Sequence, residues 1–194
     1  MAQRVDLRAE LAVGQHALHI GRVPEVAAWI CGLPRRVPSL IELMWDDDPG
    51  VANRAADVLE RITHDPSSAL RRAVTEHKEA LLGLLAEAEE KKLRWNLALT
   101  IPRLTLTIPE CRRAATALHA YLDDSSSIVK TAALHGLADL ARQNPESLPE
   151  IVDLLRVSGR SGTPAMRARS RILLKRIENP TRKRRHQTSL HMFD

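Results

Sequence analysis

The sequence predicts an all-α solenoid of about four to five stacked helix pairs, and three features point to it. The first is a repeated apolar stripe. Val129, Ala133, Leu137 and Leu140 advance by four, four and three residues, a spacing that keeps side chains on one face of a helix with about 3.6 residues per turn. The stripe recurs as Val51, Ala55, Leu59 and Ile62, as Leu93, Leu97, Ile101 and Leu104, and as Met166, Ser170, Leu174 and Ile177. Successive copies start 42, 36 and 37 residues apart, an interval at which helix pairs stack and bury their apolar faces on one another. The second is composition. Three Trp, one Tyr and one Phe among abundant Ala and Leu suit closely packed helices better than strands. The third is punctuation, because acidic or capping residues precede the stripes and Asn144-Pro145 and Asn179-Pro180 close the last two.

Taken in order, residues 3–20 read as a helix on Val5, Leu7, Leu11, Leu18 and Ile20. Pro24 suits the first position of a short helix through Cys31, closed by Gly32 and Pro34. Residues 1–34 thus form an irregular capping pair, as expected of a terminal unit with one face in water. Repeats fill 35–178. Ser39 to Trp45 is the first helix, ending at Asp46-Asp47-Asp48-Pro49. A second helix then runs from Pro49 to about Ile62, with Asp48 as its N-cap.

The next repeat joins one long helix, about Thr75 to Glu89, to another from about Lys91. Pro102 must kink or end that second helix, because proline has no amide proton to donate. Pro109 to Leu122, the turn Asp123 to Ser126 and the Val129 stripe make the third repeat. Ser147 to Val157 and Thr163 to Ile177 make the fourth, with SGRSG expected as a flexible linker between them. Residues 1–179 are expected to be a single domain, and 180–194 a basic, disordered tail.

Length permits one domain with a substantial core. Cys31 and Cys111 have neither CxxC spacing nor a disulfide framework, which favours a reduced compartment. The opening MAQRVDLRAE lacks the apolar core of a signal peptide, and no run approaches a membrane span. A cytoplasmic protein is expected. Net charge is +5, yet residues 156–185 hold eleven Arg or Lys and one acid, Glu178, so residues 1–155 are net acidic. That asymmetry points to a polyanion or an acidic surface as a partner.

The turns and stripes resemble HEAT repeats: an acidic turn, an aliphatic residue, a basic one, paired small residues and a Leu one turn later. The pattern stands as DDDPGVANRAADVLERI (46–62) and DDSSSIVKTAALHGLADL (123–140), and more weakly as KKLRWNLALTIPRL (91–104) and TPAMRARSRILLKRI (163–177). The resemblance implies a right-handed superhelix with its second helices on the concave surface, and it leaves function open, since such repeats serve many roles. Repeat one departs at Ala52, where a basic residue is usual. Repeat four departs at Ser170 and Arg171, which replace the small pair.

Four features are candidates for binding. Arg94, Lys130 and Arg167 follow the leading aliphatic of three consecutive stripes. They either meet phosphates along a strand or form ladders with acids of neighbouring turns such as Asp124. Arg167, Arg171 and Lys175 recur every four residues on the last helix, which holds one carboxylate, Glu178, so an external anion would relieve their repulsion. The tail cations Arg182, Lys183, Arg184 and Arg185 suit nonspecific nucleic-acid affinity or nuclear import, or simply a solvated end. Trp95 points away from Leu93, Leu97 and Ile101 with Leu99 beside it, either buried between helices or part of an apolar patch on the concave wall.

His16 and His19 are three residues apart without a third ligand, and no metal or other cofactor is expected. Cys111 precedes Arg112 and Arg113, which would lower its pKa were it exposed. No GxGxxG, P-loop, GxSxG or HExxH occurs. The leading expectation is a non-enzymatic scaffold that holds a protein or peptide on its concave helices. The alternative is a nucleic-acid-binding module using the basic last helix and tail. More remote is a DNA glycosylase of the AlkD type, built from HEAT-like repeats, for which Trp29, Trp45, Trp95 and Asp46 to Asp48 supply residue types but no matching motif.

Overall fold

The computed structural model describes residues 6–179 except 15, 17 and 18. Within them the chain is helical without a strand, in eleven α-helices: α1 (Leu7–Ala12), α2 (Val23–Gly32), α3 (Val37–Glu42), α4 (Pro49–Ile62), α5 (Ser68–Thr75), α6 (Lys78–Glu87), α7 (Lys91–Thr100), α8 (Ile108–Ala120), α9 (Ser127–Leu140), α10 (Leu148–Ser161) and α11 (Pro164–Glu178). The second helices form one layer, α2 on α4, α4 on α7, α7 on α9 and α9 on α11. On its other side α3 meets α5, α6 meets α8, and α10 packs along α11 and α9. This is the predicted helical solenoid. No described helix is long and apolar enough to cross a membrane.

The stripes do what their spacing demands. All four side chains of the α4, α7 and α9 stripes are buried, and at about 25 cal/mol per Å² of apolar surface their burial is the main cohesive force of the stack. Local chemistry sets the ends. Asp48 accepts from the Gly50 amide at 2.7 Å and Pro49 opens α4. Pro102 ends α7 in a single 3-10 turn, Ile101–Arg103. Gln143 then latches the exit, donating to Pro102 O at 2.9 Å and accepting from the Leu106 amide at 3.1 Å.

Four expectations are corrected. The N-terminal helix ends at Ala12, not Ile20. Arg54 of α4 takes the carbonyls that further helical turns would need, donating to Leu11, Ala12, His16 and His19. The residues before Lys78 are not the start of one long helix. A separate helix, α5, is capped by Ser67, whose hydroxyl accepts from the Leu70 amide, and it buries Leu70 and Val74. SGRSG is no flexible linker, because α10 continues through Ser161. There the small residues let α11 approach, and a Cβ at Gly159 would stand 3.6 Å from that of Ser170. Finally, α11 buries Met166, Ser170 and Leu173 while Leu174 and Ile177 are half-buried, so its stripe is rotated toward α10.

A ladder of polar contacts joins successive turns. Arg8 pairs with Asp46 at 2.7 Å and Arg94 with Asp124 at 2.7 Å. In both turns the same carboxylate accepts the amide two residues on, from Asp48 and Ser126, which are the N-caps of α4 and α9. On the other layer, Glu110 completes the capping box of α8 with Thr107 and pairs with Lys78 of α6 at 2.8 Å. The hydrogen bond from Lys78, helped by the Thr107 amide, holds the Glu110 carboxyl down at about 2. A carboxyl depressed in the folded state stabilises above its unfolded pKa, and that contribution is lost as pH falls through the range from about 4.5 to about 2. Glu110→Gln is therefore expected to flatten the acid limb of the stability–pH curve in that window, read by urea unfolding at each pH. An unchanged acid limb would refute the coupling.

Candidate functional site: a groove across the second helices

The free side of the second-helix layer carries a continuous groove. One stretch, about 640 Å³, runs from α2 over α4 and α7 to the start of α9. A second, about 210 Å³, continues between α7, α9 and α11. Trp95, Leu99 and Ile128 line both and form the shared apolar floor. Trp95 and Leu99 are half-buried and Ile128 is 50% exposed. Four residues apart, Trp95 and Leu99 lie on one face of α7, away from the buried stripe, and Ile128 stands one residue off the stripe of α9.

Charged residues ring this floor and tie the helices together. Asp57 of α4 pairs with Lys92 at 2.5 Å and accepts from the Asn96 amide nitrogen at 2.8 Å. Glu60 holds Arg103 at 2.6 Å. At the far end Asp139 of α9 binds Arg176 of α11 at 2.7 Å, and His135 lies 3.4 Å from both groups. Burial, with Arg176, Arg169 and Arg103 nearby, pushes the His135 imidazole below its ordinary pKa against the pull of Asp139.

Of the candidate binding residues singled out from sequence, Trp95 lines the groove, with its expected neighbour Leu99, and the described cations of that set do not. Trp95 is not enclosed between helices; it belongs to the wall. Arg94 is engaged internally, by Asp124, by the Ala88 carbonyl at 2.6 Å and over the Tyr121 ring at 5.4 Å. Lys130 is half-buried without an ion pair to any described residue. Arg167 donates to the Gly162 carbonyl at 2.8 Å, and the turn before α11 holds no carboxylate to extend the ladder.

Arg171 and Lys175 are exposed and make no ion pair with a described residue. Arg167 and Arg171 each stand two residues, about 200° around the helix, from the groove-lining Arg169, so their ridge faces elsewhere. Glu178 is not the only carboxylate α11 meets, since Asp139 neutralises Arg176 from α9. Arg182, Lys183, Arg184 and Arg185 lie outside the described residues.

The other chemical candidates resolve simply. Cys111 is buried, and burial raises its thiol pKa despite the adjacent arginines. His16 and His19 stack edge to face at 5.8 Å, and no metal-binding cluster occurs among the described residues. Asp46 and Asp48 serve the turn, Trp29 lies under Arg36 at 5.3 Å, and none of the three lines the groove. Sequence reasoning missed Ile128, Arg61 and Arg169 as groove residues. The signal for Ile128 was present: an aliphatic residue directly before the stripe residue Val129 gives α9 a second apolar face.

No protein-family model and no curated protein matches the chain. Among solved structures, the crystal structure of an engineered protein from the Northeast Structural Genomics Consortium is similar at 17% identity and TM-score 0.59, covering 89% of this chain and 78% of that one. A designed armadillo repeat protein aligns at 14% identity and TM-score 0.38, over 87% of this chain and 97% of that one. The first likeness is one of fold.

Proposed function

We propose that this chain is a non-enzymatic HEAT-type scaffold or adaptor that holds a protein or peptide partner in the groove across its second helices. The observation behind the reading is the partly exposed apolar floor of Trp95, Leu99 and Ile128, in a groove lined by α2, α4, α7, α9 and α11. Large apolar side chains in such a setting are typical anchors of protein interfaces, Trp above all. Residues 35–178 act as the repeats of one domain, capped by 1–34 and followed by a basic tail. Two unpaired cysteines favour the cytoplasm.

The test is affinity capture from the native cell extract with three baits: the full chain, Trp95→Ala and Ile128→Glu. A partner held in the groove is expected to lose affinity by about 30-fold with Trp95→Ala, as hot-spot residues do. Ile128→Glu, a change at a half-exposed position, should remove it without altering the melting curve. Identical capture by all three baits would sink the proposal.

One observation favours a second reading. The exposed ridge of Arg167, Arg171 and Lys175 lacks carboxylate partners among the described residues, which suits a phosphate backbone. Capture that is nuclease-sensitive, falls steeply with salt and depends on Arg171 rather than Ile128 would shift the assignment to nucleic acid.

A further inference from the structure

We infer that the groove is built for an acidic amphipathic peptide, whose apolar side chains seat on Trp95, Leu99 and Ile128 and whose carboxylates meet Arg61, Lys91 and Arg169. The inference rests on the reading of the groove as a partner site and adds the chemistry of the partner.

The charge balance of the lining decides the sign. Asp57 and Glu60 are the carboxylates that line the groove, and both are engaged: Asp57 by Lys92 and Asn96, Glu60 by Arg103. The lining cations outnumber them. Arg61 of α4 and Lys91 of α7 are exposed, Arg169 of α11 is half-buried, and none of the three has an ion-pair partner among the described residues. An incoming basic side chain would find every lining carboxylate already held. An incoming carboxylate meets cations on α4, α7 and α11 around the floor without breaking an existing pair. Charge-assisted hydrogen bonds to such groups steer and orient a ligand.

The spacing of these elements favours a peptide over a nucleic acid. Single strands are held by successive aromatic rings under their bases and by cations that track every phosphate. Here the floor is one large aromatic, Trp95, with the aliphatic Leu99 and Ile128. The other ring, His135, is held beside Asp139 and Arg176, and the unpaired cations are single side chains on α4, α7 and α11 rather than a row along a strand. An amphipathic segment reads the other way, with apolar anchors at the centre and acids flanking.

The experiment selects short random peptides displayed on phage against the immobilised full chain, with the Ile128→Glu chain as the counter-target. Enriched sequences are expected to combine two or more large apolar residues with an excess of Asp and Glu. Synthesised, they should lose about tenfold or more in affinity on Trp95→Ala. They should lose a similar factor on the double change Arg61→Glu, Arg169→Glu, and that double variant should prefer the same peptides with their acids replaced by Lys. Peptides that need Trp95 and Ile128 but carry no acidic excess would overturn the inference and leave the groove standing as a partner site. Failure to enrich any peptide that distinguishes the two chains would overturn both. A thymidine oligonucleotide that displaces the selected peptides and depends on Trp95, Arg61 and Arg169 in the same way would assign the groove to nucleic acid instead.

Discussion

Gly136→Val is expected to cost about 3 kcal/mol of stability, the upper range of overpacking in a closed core. Gly136 sits inside α9 where that helix crosses α7. A Cβ placed there would stand 2.5 Å from the Ala98 carbonyl oxygen, 2.9 Å from Leu118 Cδ1 and 3.3 Å from Pro102 Cγ. The first of these atoms is backbone of the neighbouring helix and cannot rotate aside, so α7 and α9 must separate. That seam lies at the middle of the second-helix layer, and opening it also exposes Leu97 and Ala133. For a chain of this size about 3 kcal/mol corresponds to a melting temperature lowered by roughly 10 °C.

The control is Gly83, also inside a helix, α6, where an added Cβ would meet nothing within 4 Å. Gly83→Ala should raise stability by about 0.5–1 kcal/mol, since it removes backbone freedom from the unfolded chain without a clash. Urea unfolding of both variants decides it. If Gly136→Val keeps the wild-type midpoint, the close crossing of α7 and α9 is wrong.

That seam also illustrates what the sequence could reveal. The stripe of α9 shows which side chains turn inward, and Asp48-Pro49 marks a helix start through chemistry confined to a few residues. Local rules suffice there. α5 escaped because its apolar face is only Leu70 and Val74, too short a pattern to outweigh the break at His64-Asp65-Pro66. The groove is harder still, because its floor comes from Trp95 and Leu99 on one helix and Ile128 on another. Periodicity within each helix flags an off-stripe apolar residue, but only the stacking of α7 beside α9 makes the three one surface. The basic residues divide in the same way. Arg94 and Asp124 could be paired from their places in the repeat, whereas the separation of Arg169 from Arg171, one in the groove and the other on the outer ridge, depends on how α11 is rotated against α10.

Arg54 is the residue whose role was least visible beforehand, and Arg54→Met is expected to cost about 3 kcal/mol. In sequence it is one arginine among many. In the fold it is 2% exposed, and its guanidinium reaches back from α4 to the segment that follows α1. Nε donates to the Leu11 carbonyl, Nη2 to Ala12, and Nη1 to His16 and His19. One planar fork thus replaces the hydrogen bonds a longer helix would have made, and it fits this task because its donors point in several fixed directions. The surrounding glycines conform to it. A Cβ at Gly14 would lie 2.7 Å from Nη1, and Gly21, at φ +53°, closes the turn with a Cβ direction that points 2.1 Å from the Val13 carbonyl.

Methionine keeps the stem of Arg54 and removes every donor. Leu11 is fully buried, so its carbonyl has no route to water, and an orphaned buried acceptor costs about 1–3 kcal/mol. The looser Ala12, His16 and His19 carbonyls recover part of their loss from solvent. Arg54→Lys should fail to rescue, because a single ammonium cannot reach both Leu11 and the His16–His19 turn. Hydrogen exchange separates the local effect from the global one: protection of the α1 and α2 amides should fall well before that of α9. If α1 and α2 keep their protection in Arg54→Met, the clamp is not what holds the N-terminal pair on α4.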